Sequence, residues 1–149
     1  MKEELKRIDV VRIKMIKESS ITYGRSAMKN PSEVAKVIRE FLGSRDRECF
    51  GVICLDTKNK ITNISIVSIG TLNSAIANPR EIYKTAILSN ANSIIVFHNH
   101  PSGDPEPSQS DIDLTKRVAE AGFIISINLL DHIIIADDVY LSMKEKQLL

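Results

Sequence analysis

The chain has 149 residues, 43% hydrophobic and 26% charged, ordinary values for a water-soluble chain long enough to bury a core. Its formal net charge of +1 excludes the strongly basic balance of a chain built to wrap a polyanion. No apolar run reaches membrane-spanning length, and Met1 is followed by charged residues rather than an apolar signal-peptide core, so a cytoplasmic protein is expected.

One domain over residues 1–149 is expected, with residues 1–8 a charged, frayed extension. Val11, Ile13 and Met15 alternate with Arg12, Lys14 and Ile16, which predicts a half-buried strand over about 9–18. Residues 19–29 lack any period and read as a long loop. Asn30-Pro31 then gives a helix start, with an N-cap residue, Pro at the first helical position and Glu33 in the first turn. Val34, Val37, Ile38 and Phe41 follow at helical spacing and Gly43 marks the stop, so the helix spans about 31–42.

Residues 48–56 form a nearly continuous apolar run, read as a central strand. The polar turn 57–60 returns the chain into a second strand over 61–69, which makes a hairpin of residues 48–69. Cys49 and Cys54 lie five apart in the first of these strands. An odd separation puts them on opposite faces, so they read as buried free thiols in a reducing compartment. Residues 70–77 read as a loop. Asn78-Pro79 repeats the helix-start signal and predicts a helix over about 79–90.

A β-branched strand over 93–98 runs into the most informative stretch of the chain, residues 94–115, IIVFHNHPSGDPEPSQSDIDLT. His98 and His100 lie two apart, and alternation on a strand sends both rings to one side. A Pro- and Gly-rich loop, 101–107, restricts the path that follows. Ser108 is placed to cap a helix over about 109–121, with Asp111 in its first turn and Gly122 as its stop. Two strands, 124–129 and 132–136, a short strand at Tyr140-Leu141 and a terminal helical turn over 143–149 complete the reading. This strand–helix alternation around one hairpin predicts an α/β fold with a mixed sheet and helices on its faces.

Two imidazoles and one carboxylate suit a borderline-soft divalent metal, and three protein ligands leave a fourth position for water. An HxH pair alone is equally two polar residues at a strand end. Ser108 alone is an ordinary helix cap, although an anionic transition state at a helix N-terminus would be stabilised by the same field. Water activation needs a nearby base. Glu48, at the mouth of the strand 48–56, is the preferred candidate, and its plain alternative is a surface glutamate in a charged loop. Glu106 and Asp104 are nearer in sequence but belong to the exposed loop. His132, the only other histidine, is expected to be a satisfied strand residue outside the site.

Taken together, Glu48 with Gly51, His98-x-His100-Pro101, Ser108 and Asp111 resemble the JAMM motif of the JAB/MPN metalloproteases. The longer strings HNHPSGDPEPSQSDIDLT, TLNSAIANPREIYKTA and LLDHIIIADD are similar to the RadC branch, and the resemblance covers about residues 30–142. It implies a cytidine-deaminase-like three-layer α/β sandwich. It also implies zinc on His98, His100 and Asp111, Glu48 as general base, Ser108 as oxyanion donor, and hydrolysis of a peptide or isopeptide bond in a peptide or protein substrate. Asn99 stands where many eukaryotic members carry Ser or Thr, which favours the RadC branch over deubiquitinases. Residues 1–30 are too short for the helix-hairpin-helix of longer RadC proteins. The rival reading is a DNA-repair-associated nucleic-acid or protein binding module with little turnover, motivated by the basic N-terminal third. Zinc deaminase chemistry is set aside, because the chain lacks HxE and a PCxxC.

Overall fold

The computed structural model describes residues 1, 5–24, 28–70 and 77–149. Parts of the expected frayed extension (2–4) and of both loops (25–27 and 71–76) lie outside the described residues. Three helices are described, α1 (Pro31–Leu42), α2 (Pro79–Leu88) and α3 (Gln109–Ile125). They accompany five strands: β1 (Cys49–Leu55), β2 (Ile61–Ile69), β3 (Ser93–Asn99), β4 (Asn128–Ala136) and β5 (Val139–Ser142).

The strands form one mixed sheet in the order β2-β1-β3-β4-β5. β1 pairs antiparallel with both β2 and β3, and β3 pairs parallel with β4 through the crossover helix α3. β1 and β3 are buried along their whole length, which is why both read as unbroken apolar runs. Alternation along each strand sorts the core into two layers. Val52, Cys54, Ile94 and Val96 face α2 and α3 with Ile82, Tyr83, Ala86 and Val118. Cys49, Ile53, Ile95 and Phe97 face α1 with Val34, Ala35 and Ile38. The result is helix–sheet–helix, a three-layer α/β sandwich, with the two free cysteines on opposite faces.

The helix starts are as the sequence implies. Asn30 Oδ1 accepts the Glu33 N–H and Asn78 Oδ1 accepts the Arg80 N–H, each just ahead of a proline at the first helical position. Gly43, at φ +58°, ends α1.

Two expectations fail. No strand forms over 9–18. Val11 is 80% exposed and Ile13 72%, so the alternating pattern is present but no described element packs against it. The second failure is Gly122, which does not stop α3. The helix runs on to Ile125 and ends at Ser126 in the left-handed region, so the expected strand 124–129 is reduced to the start of β4. Gly122 has a different task. A Cβ there would come within 2.2 Å of the Tyr83 hydroxyl, which donates to the Val118 carbonyl across the α2–α3 contact. A missing side chain and a helix stop look identical in sequence.

Candidate metal centre

The site is built at the ends of β1 and β3 and the start of α3. His98 lies in the last turn of the β3 pleat and is fully buried, while His100 follows beyond the strand. In the β1–β3 ladder Phe50 stands opposite His98. Continuing that antiparallel register by two residues carries Glu48 opposite His100, which explains how a residue fifty positions away reaches the same place.

Four ligand atoms, one each from Glu48, His98, His100 and Asp111, lie within 4.8 Å of one another. Asp111 spans the two imidazoles, with Oδ1 3.5 Å from His98 Nε2 and Oδ2 3.6 Å from His100 Nε2. Glu48 Oε1 stands 3.9 Å from His98 Nε2. Burial raises the Asp111 carboxyl, but the His100 and His98 rings beside it outweigh that and hold the group far below the usual carboxylate range. His100 is raised, chiefly by its bond with Asp111 and against the effect of burial.

The hydrogen-bond partners assign the ring protons. His100 Nδ1 meets the Asp104 carbonyl at 2.7 Å. A carbonyl only accepts, so Nδ1 carries the proton and Nε2 presents a lone pair inward. His98 Nε2 faces His100 Nε2 at 2.9 Å. Metal binding requires both nitrogens to be free of protons, and a cation between them then makes the contact favourable. Two nitrogens on one tetrahedral ion stand about 3.3 Å apart, so metal entry needs the rings to part by only a few tenths of an ångström. The donor set, its convergence and its carboxylates fit a divalent ion.

Ser108 caps α3 as expected. Its Oγ accepts the Asp111 N–H at 3.1 Å, and its own N–H donates to Asp111 Oδ2 at 2.8 Å, a complete capping box. The box orients the carboxylate as well as the helix, while the Ser108 hydroxyl proton remains available for a further acceptor. Gly103 lets the connecting loop turn. Its φ is +83° and a Cβ would lie 2.6 Å from Asp137 Oδ2.

Two contributors were not assigned from sequence. Asn99 Oδ1 accepts the Cys49 N–H at 2.7 Å, and Asn99 Nδ2 donates to the Arg47 carbonyl at 3.0 Å. It grips the residues on either side of Glu48 and so sets where that carboxylate stands. Asn99→Ala leaves the buried Cys49 N–H unpaired, a cost of about 1–3 kcal/mol. The expected melting temperature is lower by roughly 2–10 °C by calorimetry, and hydrogen exchange at the Cys49 amide accelerates. An unchanged melting temperature would show that Asn99 does not clamp this segment.

The second is His132. It is satisfied, as expected, but it does not lie outside the site, because its partner is His98 itself: His98 Nδ1 and His132 Nε2 are 2.7 Å apart. Burial pushes His132 well below its ordinary value, and with His98 and Thr115 rather than a carboxylate as its hydrogen-bond partners the fully buried ring is neutral. Its place follows from the parallel β3–β4 register, in which His132 falls beside Val96, two residues short of His98, and no local pattern reveals that pairing.

A family model described as a RadC-like JAB domain matches residues 28–148, which includes every residue of this cluster. The chain belongs to that family. Curated relatives of the RadC-like chain carry the name UPF0758 protein. One from Desulfitobacterium hafniense is 47% identical over 125 residues, covering 84% of this chain and 55% of the relative. One from Clostridium acetobutylicum is 52% identical over 120 residues, covering 80% and 52%. One from Moorella thermoacetica is 47% identical over 131 residues, covering 88% and 57%. The RadC-like chain therefore spans about half the length of the curated relatives it matches. Among its described residues no helix is long and apolar enough to cross a membrane.

Proposed function

We propose that this RadC-like domain is a zinc-dependent hydrolase of peptide or isopeptide bonds. The observation that carries the reading is the convergence of Glu48, His98, His100 and Asp111 within 4.8 Å, with the two histidine Nε2 atoms facing each other.

His98, His100 and Asp111 would hold the ion, and a bound zinc would lower the pKa of a water and polarise the scissile carbonyl. Glu48 Oε1 stands 3.9 Å from His98 Nε2, farther than Asp111 stands from either imidazole, which suits a base standing behind the water. It takes the proton as the water attacks the carbonyl carbon and delivers it to the leaving amine as the C–N bond breaks. The Ser108 hydroxyl, its oxygen already fixed by the Asp111 N–H, donates to the developing oxyanion. Phe50 stacks on His98, with ring centroids 6.0 Å apart, and keeps water from the inner side of that ligand. A cleft of about 270 Å³ lined by Arg39, Ser44, Arg45, Asn99 and His100 lies beside the centre.

The test is a peptide and isopeptide library incubated with zinc-loaded protein, with and without chelator. Cleavage products that vanish on chelation are expected. Zinc-loaded protein that cleaves nothing would overturn the hydrolase.

The exposed arm favours a second reading. Residues 5–18 carry Lys6, Arg7, Arg12, Lys14 and Lys17 against Asp9 and Glu18, a local charge of five minus two, or +3. DNA binding that weakens steeply with salt and survives Glu48→Gln is the outcome that supports a binding module.

A further inference from the structure

The buried groups behind His98 form a chain whose every proton can be placed. Thr115 is fully buried on α3, and its Oγ1 stands 2.6 Å from the Asp111 carbonyl. A carbonyl accepts only, so the single hydroxyl proton of Thr115 is committed there. Thr115 Oγ1 also stands 2.6 Å from His132 Nδ1, and with its proton spent it accepts, so His132 carries its proton on Nδ1. The neutral His132 ring then has a bare Nε2, and that atom faces His98 Nδ1 at 2.7 Å. His98 must donate, which leaves its Nε2 bare and pointed at His100 and Asp111. Direction is therefore set from the backbone carbonyl of one site residue to the inward nitrogen of another.

We propose that Thr115 and His132 are positioning residues that fix His98 in its metal-binding tautomer before any ion arrives. The proposal deepens the zinc-centre reading and rests on it for its consequence in affinity, but the tautomer itself is a property of the metal-free protein. The chain has no slack. Reversing the chain would leave no proton between Thr115 Oγ1 and the Asp111 carbonyl, which stand 2.6 Å apart. The rings are also held sterically, since Phe50 lies parallel to His98 and edge-on to His132 at 5.5 Å. Met143 Sδ, 3.4 Å from Thr115 Oγ1, is too weak an acceptor to redirect the hydroxyl.

The experiment uses the metal-free protein with ¹⁵N-labelled histidine at about pH 8, above the ordinary histidine range. Long-range ¹⁵N–¹H correlation reads which ring nitrogen carries the proton. Protons on Nδ1 of both His98 and His132 are expected. Thr115→Val, of the same shape without the hydroxyl, should lose the single Nδ1–H form of His132 and weaken zinc affinity by about 10–100-fold in chelator competition. Thr115→Ser keeps the oxygen and should restore both readouts, which a mere packing role would not do. A proton on His132 Nε2, or a bare His98 Nδ1, in the wild-type protein overturns the proposal without any variant, as does wild-type zinc affinity in folded Thr115→Val. Wild-type protein that shows the expected tautomers but takes up no zinc contradicts the metal-centre reading instead.

Discussion

Glu48→Gln is expected to slow the proposed hydrolysis by about 10²–10⁴-fold while leaving the proposed zinc in place. The substitution keeps side-chain size and removes one proton acceptor. His98, His100 and Asp111 are untouched, and so are the Asn99 bonds to the Arg47 carbonyl and the Cys49 N–H that locate residue 48. The Glu48 carbonyl also accepts the Gly70 N–H at 2.9 Å, a backbone bond the variant retains. General-base catalysis contributes typically about 10²–10⁴-fold, so the rate should fall by that factor on any substrate found, with metal content unchanged by elemental analysis. Equal loss of metal and activity would make Glu48 a ligand rather than the base. Undiminished activity would remove it from the mechanism.

Gly51→Val unfolds the protein or lowers its melting temperature by roughly 10 °C. Gly51 lies in the middle of β1 directly under the Phe97 ring. Any Cβ would stand 2.2 Å from Phe97 Cζ and 2.7 Å from both Cε atoms. The ring has nowhere to go. Phe97 is fully buried, packs edge-on against Phe41 with centroids 6.2 Å apart, and sits in the layer beneath α1. Overpacking of this kind costs about 3 kcal/mol or more, and a protein of this size loses roughly 2–4 °C per kcal/mol. The effect should reach the site, because Phe97 immediately precedes His98 and its displacement carries the ligand with it. Gly51→Ala combined with Phe97→Leu should recover part of the loss, with a coupling of opposite sign to the single changes. Gly51→Ala melting at the wild-type temperature would show that the ring does not hold this place.

The parts of this architecture that were legible in sequence are those governed by local rules. Asn-Pro starts, the polar turn of the hairpin and the unbroken apolar runs of β1 and β3 each express a short-range constraint, and the strand–loop–helix from Ile94 to Thr115 is a chain of such constraints. Tertiary context defeated the same rules elsewhere. The alternation over 9–18 has the period of a strand, but a strand also needs a neighbour, and periodicity says nothing about one. Gly122 was read as a stop because glycine often is one; the Tyr83 hydroxyl that requires it comes from another helix. His132 and Thr115 were legible as residues and not as a network, since the link between them depends on β4 lying parallel beside β3 with α3 above. Asn99 was taken as a mark of family branch, yet its two bonds are to the segment that holds Glu48.

Glu48, His98, His100 and Asp111 converge on one place, the proposed metal position. Titration of the metal-free protein with zinc against a competing chelator, followed by elemental analysis, tests it most directly. One tightly held ion per chain is expected. Zinc affinities of about 10–16 kcal/mol shared over the three protein ligands give roughly 3–5 kcal/mol each, so His98→Ala and Asp111→Ala should each weaken binding by at least about 10²-fold. Protein that takes up no zinc, or that binds it equally well without His98, would contradict the account.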